Sequence, residues 1–193
     1  MARSARQLWA DKLAGKNLDA FARGASAPAQ MIRLEPFRGV VLGVDPSLRG
    51  TGLAVIDFSL RDRPKLLHSE TLRLRDSIPQ AACLGEIARR VAELLESHVV
   101  DSAAVEESIY VQNYQTALIL GMARGAAIGA IAMKGVEVHH YRPLRIKQAV
   151  AGFGQASKEQ VIKTVRAHLG VELPSDEADA AATALCHAFT WKG

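Results

Sequence analysis

The sequence predicts an α/β fold in which one mixed five-stranded sheet, three antiparallel strands and then two parallel ones, carries helices on both faces. Apolar, strand-like runs come first in the chain, at 40–44, 52–58 and 65–74. Two more such runs, at 102–108 and 136–141, flank a long helical stretch, as in a β-α-β unit. Only helical segments follow. This order of elements is typical of a mixed sheet between two helical layers.

Five helices are predicted from apolar positions that recur at helical spacing. The first covers 78–98. The second, about 113–133, is packed with Ala and Gly at close intervals, and its part 120–131 favours close packing, either within one chain or between two subunits. The last three helices are predicted at about 143–151, 158–169 and 176–190.

The composition is typical of a folded, globular protein. Of its 193 residues, 49% are hydrophobic and 23% charged, which is a globular rather than a disordered balance. No apolar run approaches the ~18 residues that span a bilayer, so we expect no membrane partner. The net charge of +4 is a moderate indication of a polyanionic partner such as nucleic acid. Cys83 and Cys186 are far apart in the chain and suit a reducing cytosol.

Residues 1–35 form a basic N-terminal extension, rich in Ala and Arg. The extension has no continuous apolar segment of the secretory type. Three interpretations are open: a flexible tail that touches DNA, a helix docked on the body, or sequence upstream of a true start at Met31. We favour a loosely ordered tail, followed by a folded domain over 36–193.

Four acidic residues lie at positions that the predicted fold could bring together in one active site. Asp45 ends the first strand and Glu106 the fourth, and adjacent parallel strands present their C-terminal ends to the same sheet edge. Asp176 and Asp179 lie on one face at the start of the last helix. Each acid taken alone is better explained as a turn residue, a surface charge or a helix N-terminal charge.

Taken together, the acids indicate a metal site. The strands that end in Asp45 and Glu106 are so apolar that both faces must be buried, which directs the two acids into a shared cleft. Carboxylates brought together raise each other's pKa, and hard divalent cations such as Mg²⁺ or Mn²⁺ relieve the repulsion. Two such ions, ~3.5–4 Å apart, would support phosphodiester hydrolysis. His187, further along the same helix, is better explained as a packed residue than as a ligand.

Several motifs identify a family. The stretches GVDPSLRGTGLAVI, VEESIYVQN, LGMARGAAIGA, RPLRIKQAVAGFGQASKEQV and DEADAAATALCHA resemble the bacterial RuvC Holliday-junction resolvases in order and spacing over most of 38–190. The resemblance implies an RNase H-like fold and a Mg²⁺-dependent homodimeric endonuclease, with two ions per active site and Mn²⁺ as a substitute. Such an enzyme nicks opposing strands of four-way junction DNA in recombination and repair. A branch-migration motor of the RuvA/RuvB type and a cytoplasmic location are implied as well.

The resemblance also assigns residues by position. The metal-binding and catalytic acids would be Asp45, Glu106, Asp176 and Asp179, and the two lysines that the family uses near the cleft would be Lys147 and Lys158.

Further residues are candidates for DNA contact. Arg142 and Arg145, with Lys147, precede the segment 150–161, whose two glycines permit close approach to a backbone. Lys158 follows at a helix start, and this arrangement suits phosphate contacts.

Two positions depart from the family pattern. Ser47 stands where the family usually has Gly, and Ile109 stands where an aromatic residue often stacks on a base at the junction centre. Either the adjacent Tyr110 takes over the stacking, or Ile109 acts as an apolar wedge.

Two other functions stay open at this point. Another RNase H-like nuclease, acting on RNA–DNA hybrids or resembling the YqgF-like group, would share the first acid and the fold. The lysine pair and the LGMARG helix speak against it. A non-catalytic junction-binding protein is the second alternative, and intact acids at all four positions speak against that one.

Overall fold

The computed structural model describes residues 36–60, 63–107 and 113–192. The predictions for the extension 1–35 and for a start at Met31 therefore lie outside the described residues. The strands are β1 (Val40–Asp45), β2 (Gly50–Asp57), β3 (Lys65–Arg73), β4 (Ser102–Glu106) and β5 (Glu137–Tyr141). The helices are α1 (Gln80–Ser97), α2 (Tyr114–Met133), α3 (Pro143–Ala151), α4 (Lys158–Leu169) and α5 (Ser175–Thr190).

The strands form one five-stranded sheet in the order β3-β2-β1-β4-β5. β1 and β3 both pair antiparallel with β2, whereas β4 pairs parallel with β1 and with β5. The predicted mixed sheet is thereby confirmed. β1, β2 and β4 are almost wholly buried, which explains why they read as continuous apolar runs.

Helices cover both faces of the sheet, as predicted. Successive residues of a strand point to opposite faces, so Val41 packs into one hydrophobic cluster and Leu42 into the other. The first cluster contains residues of α3, α4 and α5, and the second contains residues of α1 and α2. The two clusters form the core, and the C-terminal ends of β1 and β4 open between α3, α4 and α5.

α2 corrects one expectation from the sequence. This 20-residue helix is long and apolar enough to cross a membrane by length and composition alone, whereas no run of that kind was expected. A single helix of this type is weak evidence for a span. Ala123, Ala127 and Ile131 on one side pack into the core, while Leu118 and Met133 are exposed. Packing within one chain therefore accounts for only part of the apolar surface of α2.

Candidate active site

Asp45 and Glu106 end neighbouring parallel strands side by side. The β1–β4 register pairs Val44 with Val105, so the next residue on each strand is an acid. Val41 and Ala104 belong to the cluster on the α5 face, and the two-residue period of a strand therefore directs Asp45 and Glu106 to the same face.

Two strand glycines allow α5 to lie directly on the sheet. A Cβ on Gly43 would be 2.1 Å from the Ala180 carbonyl oxygen, and one on Gly52 would be 2.1 Å from the Asp176 carbonyl oxygen. Gly52 is also the β2 residue that pairs with Asp45. The start of α5 is thereby held beside the end of β1. Sequence reasoning attributed the glycines here to the turn, although a glycine inside an apolar strand is a signal for close backbone approach.

The turn after Asp45 is closed by its own side chains. Ser47 Oγ accepts a hydrogen bond from the Gly50 N–H at 2.9 Å, so the serine at this position contributes to the turn. Arg49 Nη2 donates to the Ile78 carbonyl oxygen at 3.1 Å, and its Nε lies 3.3 Å from Asp76 Oδ1. These contacts anchor the turn to the segment before α1.

Three of the four predicted acids, Asp45, Glu106 and Asp179, line one cleft of about 220 Å³ together with the two predicted lysines, whereas Asp176 is not part of its lining. Lys158 Nζ lies 2.8 Å from Asp179 Oδ2. Asp176 lies against the turn, since its Oδ2 would be 3.7 Å from a Cβ on Gly50. The full lining is Asp45, Glu106, Pro143, Ile146, Lys147, Lys158, Val161, Asp179 and Ala182.

Burial and mutual repulsion perturb the two strand acids. Burial, then Asp179 and Asp176, raise the pKa of Asp45 to about 6, against an opposing effect of Lys158. Burial, then Asp45 and Asp179, raise the pKa of Glu106 to about 8, opposed by Lys147 and Lys158. Perturbed acids that share a cleft are typical of functional sites.

The cleft fits a hard divalent cation by its chemistry. Among residues 36–60, 63–107 and 113–192, no three His, Cys, Asp or Glu side chains lie close enough together to hold a metal ion in this conformation. The donors are nevertheless carboxylate oxygens alone, and the pKa values of Asp45 and Glu106 are raised first by burial and then by a mutual repulsion that such a cation would relieve. The Lys158 ammonium already offsets part of the negative charge, at Asp179.

Among the residues that the structure describes, the others singled out in the sequence are not part of the lining of the cleft. Arg142 and Arg145 line a neighbouring depression with Glu107, and Arg142 Nε is 3.4 Å from Glu107 Oε2. Ile109 and Tyr110 lie outside the described residues, so the choice between stacking and wedging stays a prediction. His187 is fully buried among aromatic rings, which confirms its interpretation as a packed residue.

Comparison with known proteins identifies the family. The sequence model of the family described as "Crossover junction endodeoxyribonuclease RuvC" matches residues 41–187, a range that contains the whole lining of the cleft. The chain belongs to the RuvC family. The Halorhodospira halophila RuvC is 45% identical over 151 residues, which are 77% of this chain and 89% of that protein. The Pelotomaculum thermopropionicum RuvC is 39% identical over 158 residues, covering 79% and 96%.

A solved RuvC structure is similar throughout the domain. Thermus thermophilus RuvC in complex with Holliday junction substrate superposes with a TM-score of 0.74 at 38% identity, covering 79% of this chain and 94% of that one. The resemblance drawn from the sequence motifs and the RNase H-like fold are thereby confirmed.

Proposed function

We propose that this RuvC-family protein resolves Holliday junctions by nicking two opposing strands of a four-way DNA junction, in recombination and repair. The observation that carries the proposal is the cleft in which Asp45, Glu106 and Asp179 meet Lys147 and Lys158, inside the segment that matches the RuvC family. The junction substrate of the similar Thermus structure supports four-way DNA as the ligand.

Mg²⁺ is the proposed cofactor, with two ions per site and Mn²⁺ as a substitute. Asp45 and Glu106 would hold the ions, and Asp176 and Asp179 would complete the ligand set. Bound there, the ions would supply an activated water and neutralise charge on the leaving oxygen of a phosphodiester. Lys158, once released from Asp179, and Lys147 would contact the scissile phosphate and stabilise its developing charge.

The DNA strand would continue from the cleft over the neighbouring basic surface. Arg142 and Arg145 are exposed there, next to the start of α3, and would bind phosphates. Ile109 or Tyr110, following Glu106 by a few residues, would meet a base at the junction centre.

A homodimer is proposed from the exposed side of α2. An apolar depression of about 350 Å³ lies between α1 and α2, lined largely by small residues that include Ala88, Gly125 and Gly129. Exposed apolar surface of this kind marks interaction sites. A second copy related by a two-fold axis would bury it and would place two identical sites on a two-fold symmetric substrate.

We also propose the wider context that the family resemblance implies. A branch-migration motor of the RuvA/RuvB type would deliver the junction, and the protein would act in the cytoplasm. Cys83 and Cys186 are both free and buried, which suits a reducing compartment.

A substrate panel tests the proposal. The full-length protein would be incubated with a labelled four-way junction, a matched duplex and an RNA–DNA hybrid over a Mg²⁺ titration. We expect nicks in the junction alone and none in EDTA. Preferred cleavage of the hybrid would support the other RNase H-like nucleases. Tight junction binding with no nicks at any Mg²⁺ concentration would indicate a non-catalytic binding protein.

A further inference from the structure

A part-buried hydrogen bond joins the second half of α5 to the sheet. Tyr141 Oη and His187 Nδ1 lie 2.8 Å apart. His187 has no exposed surface, and its ring centroid is 4.9 Å from that of Phe37 and 5.1 Å from that of Trp191. Burial lowers the pKa of His187 to about 4, so the imidazole is neutral and can share one hydrogen bond at Nδ1.

Tyr141 belongs to the same row of side chains as the two strand acids. The β4–β5 register pairs Glu106 with Tyr141, and the Glu107 N–H donates to the Tyr141 carbonyl oxygen at 2.8 Å. Tyr141 packs against the cluster on the α5 face. Asp45, Glu106 and Tyr141 therefore follow one another across β1, β4 and β5 beneath α5.

α5 is tied to the sheet on both sides of Asp179. In its first turn, Glu177 Oε2 accepts a hydrogen bond at 2.6 Å from Ser69 Oγ on β3. Towards its end, His187 holds Tyr141 on β5. Asp179 lies between these two ties, ~12 Å before His187 along the helix axis. A tilt or slide of α5 at the His187 end therefore moves the Asp179 carboxylate relative to Glu106.

We infer that Tyr141 and His187 are positioning residues for the acidic cleft, because their hydrogen bond fixes the helix that carries Asp179 relative to the strand that carries Glu106. Neither residue lines the cleft itself. The inference rests on the proposed function, since it concerns the metal affinity of the same site. Groups that orient metal ligands from outside the ligand set are known to control affinity.

Two single variants remove one partner each and keep an aromatic ring in place. Tyr141→Phe deletes the hydroxyl, and His187→Phe deletes the ring nitrogens. His187→Asn instead retains a polar group where Nδ1 stands and can pair again with Tyr141. His168→Phe is the matched control, since His168 is a half-buried histidine on α4 that packs on Phe189.

The readout is Mn²⁺ affinity of the full-length protein without DNA, measured by water-proton relaxation. We expect both Phe variants to bind Mn²⁺ about fivefold more weakly, less than the roughly 10–100-fold typical for direct partners of metal ligands. His187→Asn should recover most of the affinity, and His168→Phe should match the wild type.

The double variant Tyr141→Phe/His187→Phe separates positioning from stability. It leaves no unpaired polar partner of this hydrogen bond, so its melting temperature should recover towards that of the wild type. Mn²⁺ affinity should nevertheless stay about fivefold weak, because the tie to β5 is still missing. Affinity that recovers together with the melting temperature would overturn the inference.

Two further results would also overturn the inference. Wild-type Mn²⁺ affinity in both single variants, or no Mn²⁺ binding by the wild type, overturns the inference. Failure of the proposed function would appear differently, as a wild-type protein that binds Mn²⁺ through Asp45 but leaves the four-way junction uncut.

Discussion

Lys158 Nζ lies 2.8 Å from Asp179 Oδ2, which places an ammonium group of the protein's own among the acids of the cleft. The hydrogen bond with Asp179 raises the pKa of Lys158. In turn, the ammonium lowers the pKa of Asp45 and of Glu106 against the larger effects of burial and carboxylate repulsion. The protonation state of the two strand acids therefore depends in part on Lys158.

Lys158→Ala should change both the rate and the pH dependence of junction cleavage. The pKa values of Asp45 and Glu106 rise when the ammonium is removed, so the acidic limb of the pH–rate profile should move to higher pH. Loss of a charge-stabilising group should also reduce the maximal rate by about 100-fold. The measurement is single-turnover cleavage of a four-way junction from about pH 5.5 to 9, a range that extends on both sides of the raised pKa values of about 6 for Asp45 and about 8 for Glu106.

Lys163→Ala is the control, since Lys163 is an exposed lysine on the same helix. It should leave the profile unchanged. An unshifted acidic limb in Lys158→Ala would show that the lysine does not set the protonation of the acids.

Asp45→Asn should raise the thermal stability of the metal-free protein at pH 8. The pKa of Asp45 in the folded state is raised from 3.8 to about 6, so the folded state holds this proton more tightly than the unfolded state does. The resulting stabilisation is present at low pH and is lost as the pH rises through about 6. Melting temperatures in EDTA at pH 5 and pH 8 would show a larger gain for Asp45→Asn at pH 8.

Asp57→Asn provides a control of opposite sign. A hydrogen bond from Ser59 lowers the pKa of this half-buried acid, so its contribution to stability is present above the unfolded pKa and is lost as the pH falls. This variant should not be stabilised at pH 8. Equal gains in both variants would mean that a general loss of negative charge, and not relief of the cleft, explains the effect.

Gly52→Ala should destabilise the protein and impair cleavage together. Its Cβ would be 2.1 Å from the Asp176 carbonyl oxygen, so α5 must move away from the sheet. The expected loss is about 1–3 kcal/mol of unfolding free energy, the usual cost of overpacking, measured by urea denaturation. Gly85→Ala is the matched control, because nothing lies within 4 Å of a Cβ at that exposed position of α1. A Gly52→Ala variant as stable as Gly85→Ala would contradict the close approach of α5.

The strands and the acids were predictable for a common reason. β1 and β4 are covered on both faces, so their sequences are apolar up to the residue where each meets solvent, and that residue is Asp45 or Glu106. The placement of α5 was not predictable in this way. It depends on Gly43 and Gly52 inside strands and on the Tyr141–His187 hydrogen bond between residues 46 positions apart, and no local pattern reports such a pairing.

Gly125→Glu should convert a dimer into a monomer without unfolding the chain. A Cβ at Gly125 meets nothing within 4 Å, so the single chain accommodates the side chain. A glutamate in the apolar depression would place an unpaired charge in the proposed interface. Sedimentation velocity should show a monomer, whereas Val99→Glu, at a position 86% exposed, should stay dimeric. A dimeric Gly125→Glu variant would place the interface elsewhere.

The most direct test of the central claim is to map, at nucleotide resolution, the nicks made in a mobile four-way junction with Mg²⁺ by the wild type and by Asp45→Asn. We predict that the wild type makes paired nicks at symmetric positions in two opposing strands. Asp45→Asn should bind the junction with near-normal affinity and make no nicks, because the variant lacks the carboxylate proposed to anchor the ions. Near-normal cleavage by Asp45→Asn would contradict the assignment of the cleft as the nuclease site.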